Sequence, residues 1–218
     1  MTGSSHHDAT ASLALAVNLD QCRAGFGALL TRADLPATAA AEVAKRYAEP
    51  HRAYHDTAHV GLLWLRHLMH GGDAGDRGLA LAILFHDAIY DPTARDNEAR
   101  SAALLGRVVP GDTGWAQQAI LATADHLAYA GVDCRIARLL DLDLTPLAEA
   151  PEVFARNSRM LRREYAAVSE PAWRAGRRVM LQRFEAAEPL FRTRLGAIYE
   201  TPARANLAAE VAALSDAA

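Results

Sequence analysis

Apolar residues along this chain recur three and four positions apart, and sustained alternation is missing, so the pattern carries the period of helices and not of strands. Helices are predicted at about 12–31, 37–48, 57–70, 76–91, 96–109, 112–126, 133–147, 151–167, 170–187 and 202–214. Breakers separate them: Glu49-Pro50, Gly71-Gly72, Pro92, Pro110-Gly111, Gly131, Ala150-Pro151, Glu170-Pro171 and Thr201-Pro202. Start signals add to this, with Asp56-Thr57 before an apolar stretch and Ser169 just ahead of Pro171. The expectation is an all-α helical bundle whose Ala-rich first and last helices pack around the middle.

A chain of 218 residues suits one domain with a substantial core, and no repeat or low-complexity linker divides it. Residues 11–218 are expected to form a single domain behind a flexible tail, residues 1–10, whose Gly3-Ser4-Ser5-His6-His7 reads as tail and not as a metal site. Hydrophobic residues make up 51% of the chain, charged ones 22%, and the net charge is -3, so there is no basic excess to hold a nucleic-acid backbone. Cys22 and Cys134 stand far apart with no CxxC, which predicts apolar filler in a reducing compartment and no disulfide or thiolate zinc site. No run approaches the ~18 apolar residues of a membrane span and no signal peptide is legible, so a cytoplasmic protein without a membrane partner is expected.

Histidine changes the picture. Seven of the nine histidines lie between His51 and His126, and His51, His55 and His59 recur at spacing four. With Asp56 as a helix cap, His55 falls on the entering loop and His59 in the first turn, and both can face one pocket. A single histidine there would read as surface polarity; three do not.

His86 and Asp87 follow Leu79, Leu81, Ile83 and Leu84 on a helix apolar nearly all round. Burying a carboxylate costs several kcal/mol unless it is paired or binds a cation, and no Lys or Arg lies within one turn of Asp87. A metal would satisfy both residues; a hydrogen-bonded core pair is the plainer alternative. Farther on, helical phase aligns Asp143 with Ile136, Leu139, Leu140 and Leu147, pointing inward, whereas Asp141 aligns with Arg138 and Thr145, which predicts a surface ion pair with Arg138.

A histidine, an adjacent His-Asp and a distant Asp, in this order, resemble the HD superfamily of metal-dependent phosphohydrolases. The segments Glu49 to His55, Phe85 to Asp91, Asp96-Asn97-Glu98 with Ser101, and Arg163-Glu164-Tyr165 look like a bacterial family of predicted HD-superfamily hydrolases with no assigned substrate. The likeness runs from about Tyr47 to Leu214 and implies an HD-type helical domain with His59, His86, Asp87 and Asp143 as metal ligands. Tyr54 to His59 is also similar to the Tyr-His-Asn-x-x-His signature of cyclic-nucleotide phosphodiesterases, with Asp56 in place of Asn, which implies His55 as general acid.

The resemblance implies hydrolysis of a phosphate ester, a nucleotide among the candidates, by metal-activated water, for which two imidazoles and two carboxylates leave positions open on an octahedral ion. The expected cofactor is one or two divalent ions per chain: Mn, Mg, Fe, Co, Ni or Zn. Asp87 could bridge to a second ion, with His126 and Glu98 as further ligands or proton carriers, although His126 could equally serve a helix C-terminus. Arg52 is the first candidate to hold phosphate, followed by Arg163 and Arg177, while Tyr54, Tyr90 and Tyr165 could line a substrate pocket. An exposed ion pair is the alternative for the two later arginines. An HD-type mixed-valent diiron oxygenase and a non-catalytic regulatory module held by its metal are the competing readings, and homo-oligomerisation stays open.

Overall fold

The computed structural model describes residues 18–215. The tail at residues 1–10, with His6 and His7, and the first part of the helix expected from residue 12 lie outside that range. Among the described residues there are ten α-helices and no strand: α1 Leu19–Ala33, α2 Ala37–Tyr47, α3 Thr57–Met69, α4 Arg77–Phe85, α5 Asn97–Val108, α6 Gly114–Ala122, α7 Cys134–Leu144, α8 Pro151–Glu164, α9 Glu170–Ala186 and α10 Gly196–Ser215. Short 3-10 turns at Thr123–Asp125 and Thr145–Ala148 extend α6 and α7. The class read from periodicity is therefore correct, and several boundaries move.

The helix starts are encoded locally. Asn18 opens α1 with a reciprocal capping box: its Oδ1 accepts from the Gln21 N–H at 2.9 Å, and its own N–H donates to Gln21 Oε1 at 3.0 Å. Asp56, Asp76 and Asp133 cap α3, α4 and α7 in the same side-chain-to-backbone manner. Pro202 does not mark a start. It sits inside α10, whose preceding turn is anchored by fully buried Tyr199 and by Glu200, which accepts from the Leu190 and Phe191 N–H groups at 3.1 and 3.0 Å.

At the centre is α4, with every residue from Leu79 to Phe85 buried, as its unbroken apolar sequence demands. It packs against α1 and α6, while α1 lies along α3. The α1–α3 crossing is close enough that glycine is required: a Cβ on Gly61 would fall 1.8 Å from the Cys22 carbonyl oxygen.

The expected helix over residues 76–91 stops at Phe85, and the reason is tertiary. The carbonyl that Leu84 presents takes the Tyr47 hydroxyl at 3.0 Å, and those of Asp87 and Ala88 take the Arg52 guanidinium at 2.8 and 3.1 Å. Ser101 Oγ accepts the Ile89 N–H at 2.9 Å. These partners replace the helical ladder, so His86 and Asp87 leave on a turn directed into the site.

Candidate metal centre

Five polar side chains from four places in the sequence meet at one end of a deep cavity. Asp56 places His59 in the first turn of α3, with its Oδ1 accepting from the Ala58 N–H at 2.8 Å and the His59 N–H at 3.3 Å. His86 caps α4, and its Nδ1–H donates to the Ile83 carbonyl at 2.8 Å, which fixes the ring and turns Nε2 toward the site. Asp143 projects from the last turn of α7, and His126 follows the 3-10 turn after α6.

Ligand-type atoms of His59, His86 and Asp143 all lie within 4.8 Å of one another, and the group could hold a metal ion. Asp143 Oδ1 lies 3.1 Å from His59 Nε2 and 3.6 Å from His86 Nε2; Asp87 Oδ2 lies 3.1 Å from His86 Nε2 and 3.7 Å from His59 Nε2. Short as these separations are, both ring nitrogens of His59 and the Nε2 of His86 are buried without a directed hydrogen bond. An orphaned buried polar atom costs about 1–3 kcal/mol. Atoms that crowd together yet do not point at each other are arranged around a common centre, and two imidazoles with two carboxylates are a donor set suited to a divalent cation.

The electrostatics agree with that fit. Burial alone would push the Asp143 carboxyl up, but the nearby His86 charge, with the His126 hydrogen bond and the closeness of His59, holds it well below the carboxylate range. Asp87 is likewise held down, against burial, by His86 and His55. His86 is raised in return: burial opposes its proton, and Asp87 and Asp143 outweigh burial. Both carboxylates are therefore ionised at neutral pH, and a cation would enter by displacing the His86 proton.

His55, beside the ligands, is held differently. Its ring nitrogen Nδ1 lies 2.7 Å from Glu164 Oε2, and the other Glu164 oxygen accepts from the backbone N–H groups of Ala53, Tyr54 and His55 at 2.8, 2.7 and 2.9 Å. Tyr90 Oη also donates to Glu164, at 2.9 Å. Burial raises Glu164, but these donors, the His55 bond foremost, bring it down to about 2. His55 Nε2 is left 4.0 Å from Asp87 Oδ2, on the cavity side. Sequence alone does not single out Glu164 as a site residue, because it sits at the end of α8, about 110 residues from its partner, and enters only through the resemblance of Arg163-Glu164-Tyr165.

The cavity encloses about 710 Å³, and Tyr54, His55, His59, Asp87, Glu98, His126, Asp143 and Arg177 all line it. Tyr54 packs its ring 4.9 Å from His55 and 5.2 Å from His59. His126 Nε2 lies 2.8 Å from Asp143 Oδ2, and Glu98 stands on the wall outside the ligand group.

Several expectations need correction. Arg52 is not a phosphate holder: its side chain is wholly buried, and four of its five donors go to Glu49, the His55 carbonyl, and the Asp87 and Ala88 carbonyls. It clamps the two halves of the site's backbone together. Arg163 is exposed and lies off the cavity, and Arg177 lines it but is bound to Glu210 at 3.0 Å and Ser158 at 3.1 Å. Asp141 is no surface partner of Arg138; it is 1% exposed and accepts from the Arg192 and Thr193 N–H groups at 2.9 and 2.7 Å, on the opposite side of α7 from Asp143. Arg138 instead bonds His67 and the His70 carbonyl. Cys22 is buried as expected, but Cys134 is exposed at the start of α7.

Among the described residues no helix is long and apolar enough to cross a membrane. Comparison with protein-family models, curated proteins and solved structures finds no match to this chain.

Proposed function

We propose that this chain is a metal-dependent phosphohydrolase of the HD type, with His59, His86, Asp87 and Asp143 holding one divalent cation and His126 supporting Asp143. The observation that carries the reading is the set of buried, unbonded imidazole nitrogens on His59 and His86, turned toward two ionised carboxylates at the floor of an open cavity. A bound divalent cation supplies Lewis-acid polarisation and a lowered water pKa.

The chain's own residues do the rest. Water's oxygen bonds to phosphorus while the ester P–O bond breaks. His55, oriented through Nδ1 by Glu164, presents Nε2–H to the cavity and gives its proton to the departing oxygen. The proton that water loses restores His55, so the cycle closes. Glu164 and Asp87 together favour the protonated ring: burial opposes the charge, and Asp87 and the Glu164 hydrogen bond raise it above the ordinary histidine value. Arg52 fixes the backbone between His55 and Asp87 and so keeps donor and ligand in register. A metal serving only to pin helices would not call for a cavity of about 710 Å³ opening on its ligands.

The test is a screen of phosphomonoesters, nucleotides and cyclic nucleotides with protein loaded in turn with Mn, Mg, Fe, Co, Ni and Zn. His86→Ala and Asp87→Ala should abolish the activity found. Hydrolysis that survives both substitutions would place the chemistry elsewhere, and oxygen uptake with an iron redox spectrum would favour the oxygenase alternative.

A further inference from the structure

The cavity has two unlike ends. At the floor stand the ligands and His55; the wall facing them comes from α8 and α9 and is apolar, with Leu161, Tyr165, Trp173, Met180 and Phe184 turned into the space. Trp173, Met180 and Phe184 share one face of α9, at spacings of seven and four. The Tyr165 and Trp173 rings lie 5.1 Å apart, tilted by 42°, and form an aromatic corner. Between Trp173 and Met180 the wall is flattened by Gly176, where an added Cβ would meet nothing within 4 Å. Phe184 packs in part against the core, but Trp173 is only partly buried, with the Arg162 guanidinium 5.7 Å from its ring centroid, and Met180 is exposed. Apolar area left open beside a charged floor is what an amphipathic ligand covers.

Charge sets a second limit. The cavity is lined by the carboxylates of Asp87, Asp143 and Glu98 and by the guanidinium groups of Arg95 and Arg177. Arg177 is already neutralised by Glu210 at 3.0 Å, which leaves Arg95 as the uncommitted cation among the described lining residues. His55 is paired with Glu164, so three carboxylates against one guanidinium leave two negative charges before a dication enters. That balance accommodates one phosphoryl group at the floor and opposes a chain of them.

Resting on the hydrolase reading, we propose that the substrate is a phosphate ester with a single phosphoryl group and an aromatic or comparably flat apolar alcohol part, seated on the Tyr165–Trp173 corner of α8 and α9.

The test pairs turnover with binding. Benzyl phosphate and 2-naphthylmethyl phosphate are compared with methyl phosphate, all alkyl esters, so that leaving-group acidity does not decide, and with adenosine 5′-triphosphate. We expect kcat/KM for the aromatic esters to exceed that for methyl phosphate by roughly tenfold or more. Gly176→Leu, which fills the slot from a position with open space, and Trp173→Ala should each collapse that ratio. Binding of benzylphosphonate and methylphosphonate is read by Trp173 fluorescence; of the three tryptophans, Trp64 is in the core and Trp115 lies under Arg135, so Trp173→Phe identifies the signal. Turnover without aromatic preference, or faster turnover of the triphosphate, overturns the inference and leaves the hydrolase reading intact. Selective phosphonate binding without turnover of any ester supports the recognition surface and removes the hydrolase reading. Neither turnover nor selective binding overturns both.

Discussion

The two ends of α3 carry histidines in similar numbers and use them in opposite ways. At its C-terminal end, His67 Nδ1 accepts from Arg138 Nε at 3.0 Å and its Nε2–H donates to the Asp73 carbonyl at 3.2 Å, while His70 Nε2 meets the Tyr199 hydroxyl at 2.7 Å. Every ring nitrogen of His67 is used, and burial with the nearby Arg138 lowers both rings below the ordinary histidine value, so they stay neutral. At the N-terminal end His59 is equally buried, and neither of its ring nitrogens has a directed partner, although two carboxylates lie within 4 Å. Richness in histidine therefore does not identify a site. What does is a buried histidine whose hydrogen-bonding capacity the fold leaves unspent beside ionised carboxylates.

The sharpest way to break this contrast is to remove one histidine from each region and titrate a divalent cation by calorimetry. His86→Ala should lower affinity by on the order of a hundredfold or more, since even groups that only orient ligands are worth 10–100-fold, whereas His67→Ala should leave it nearly unchanged. The same contrast should appear in stability: at a cation concentration about a hundred times Kd the parent chain gains about 2.7 kcal/mol, and His59→Ala should gain nothing. Equal losses for His86→Ala and His67→Ala would erase the distinction.

A comparison inside the N-terminal region comes next, because there His55 is satisfied and His59 is not. The Glu164 carboxyl falls from an ordinary 4.5 to about 2 in the folded chain. A depressed carboxylate stabilises the fold fully above its unfolded pKa, and that contribution is lost as pH falls from about 4.5 to about 2, an effect of up to about 3 kcal/mol. Glu164→Gln should be less stable than the parent at pH 7 and show a flatter acid decline in denaturant titrations. Its kcat should fall by roughly 10–100-fold, as expected when a general acid loses its orienting partner.

At the C-terminal end the predicted effect is smaller and purely structural. His67→Ala leaves Arg138 Nε without its acceptor and should cost about 1–3 kcal/mol. Since the His67 pKa is lowered from 6.5 on folding, parent stability should decline as pH drops below about 6.5, where the unfolded chain takes up a proton that the folded chain resists. Denaturation midpoints at pH 7.5 and 5.5 would show this, and the variant should lose part of the slope. Smallest of all, Cys134→Ser at its exposed position should shift stability by no more than about 0.5 kcal/mol.

Features confined to one helix were legible along the chain: the buried α4, the Asp56 cap that sets His59 in a first turn, the inward phase of Asp143, and the residue types of the proposed ligands. Helical periodicity and capping depend on neighbours a few positions away, so sequence alone determined them. Only the tertiary structure decided that α4 stops at Phe85 because Tyr47, Arg52 and Ser101 take over its chain partners, that Asp141 serves the Arg192–Thr193 backbone, and that Glu164 returns from the end of α8 to hold His55. Each of those bonds joins groups 12 to 109 positions apart. Helical phase gives the side of the helix from which a side chain leaves, and the packing of distant segments determines which group it meets there.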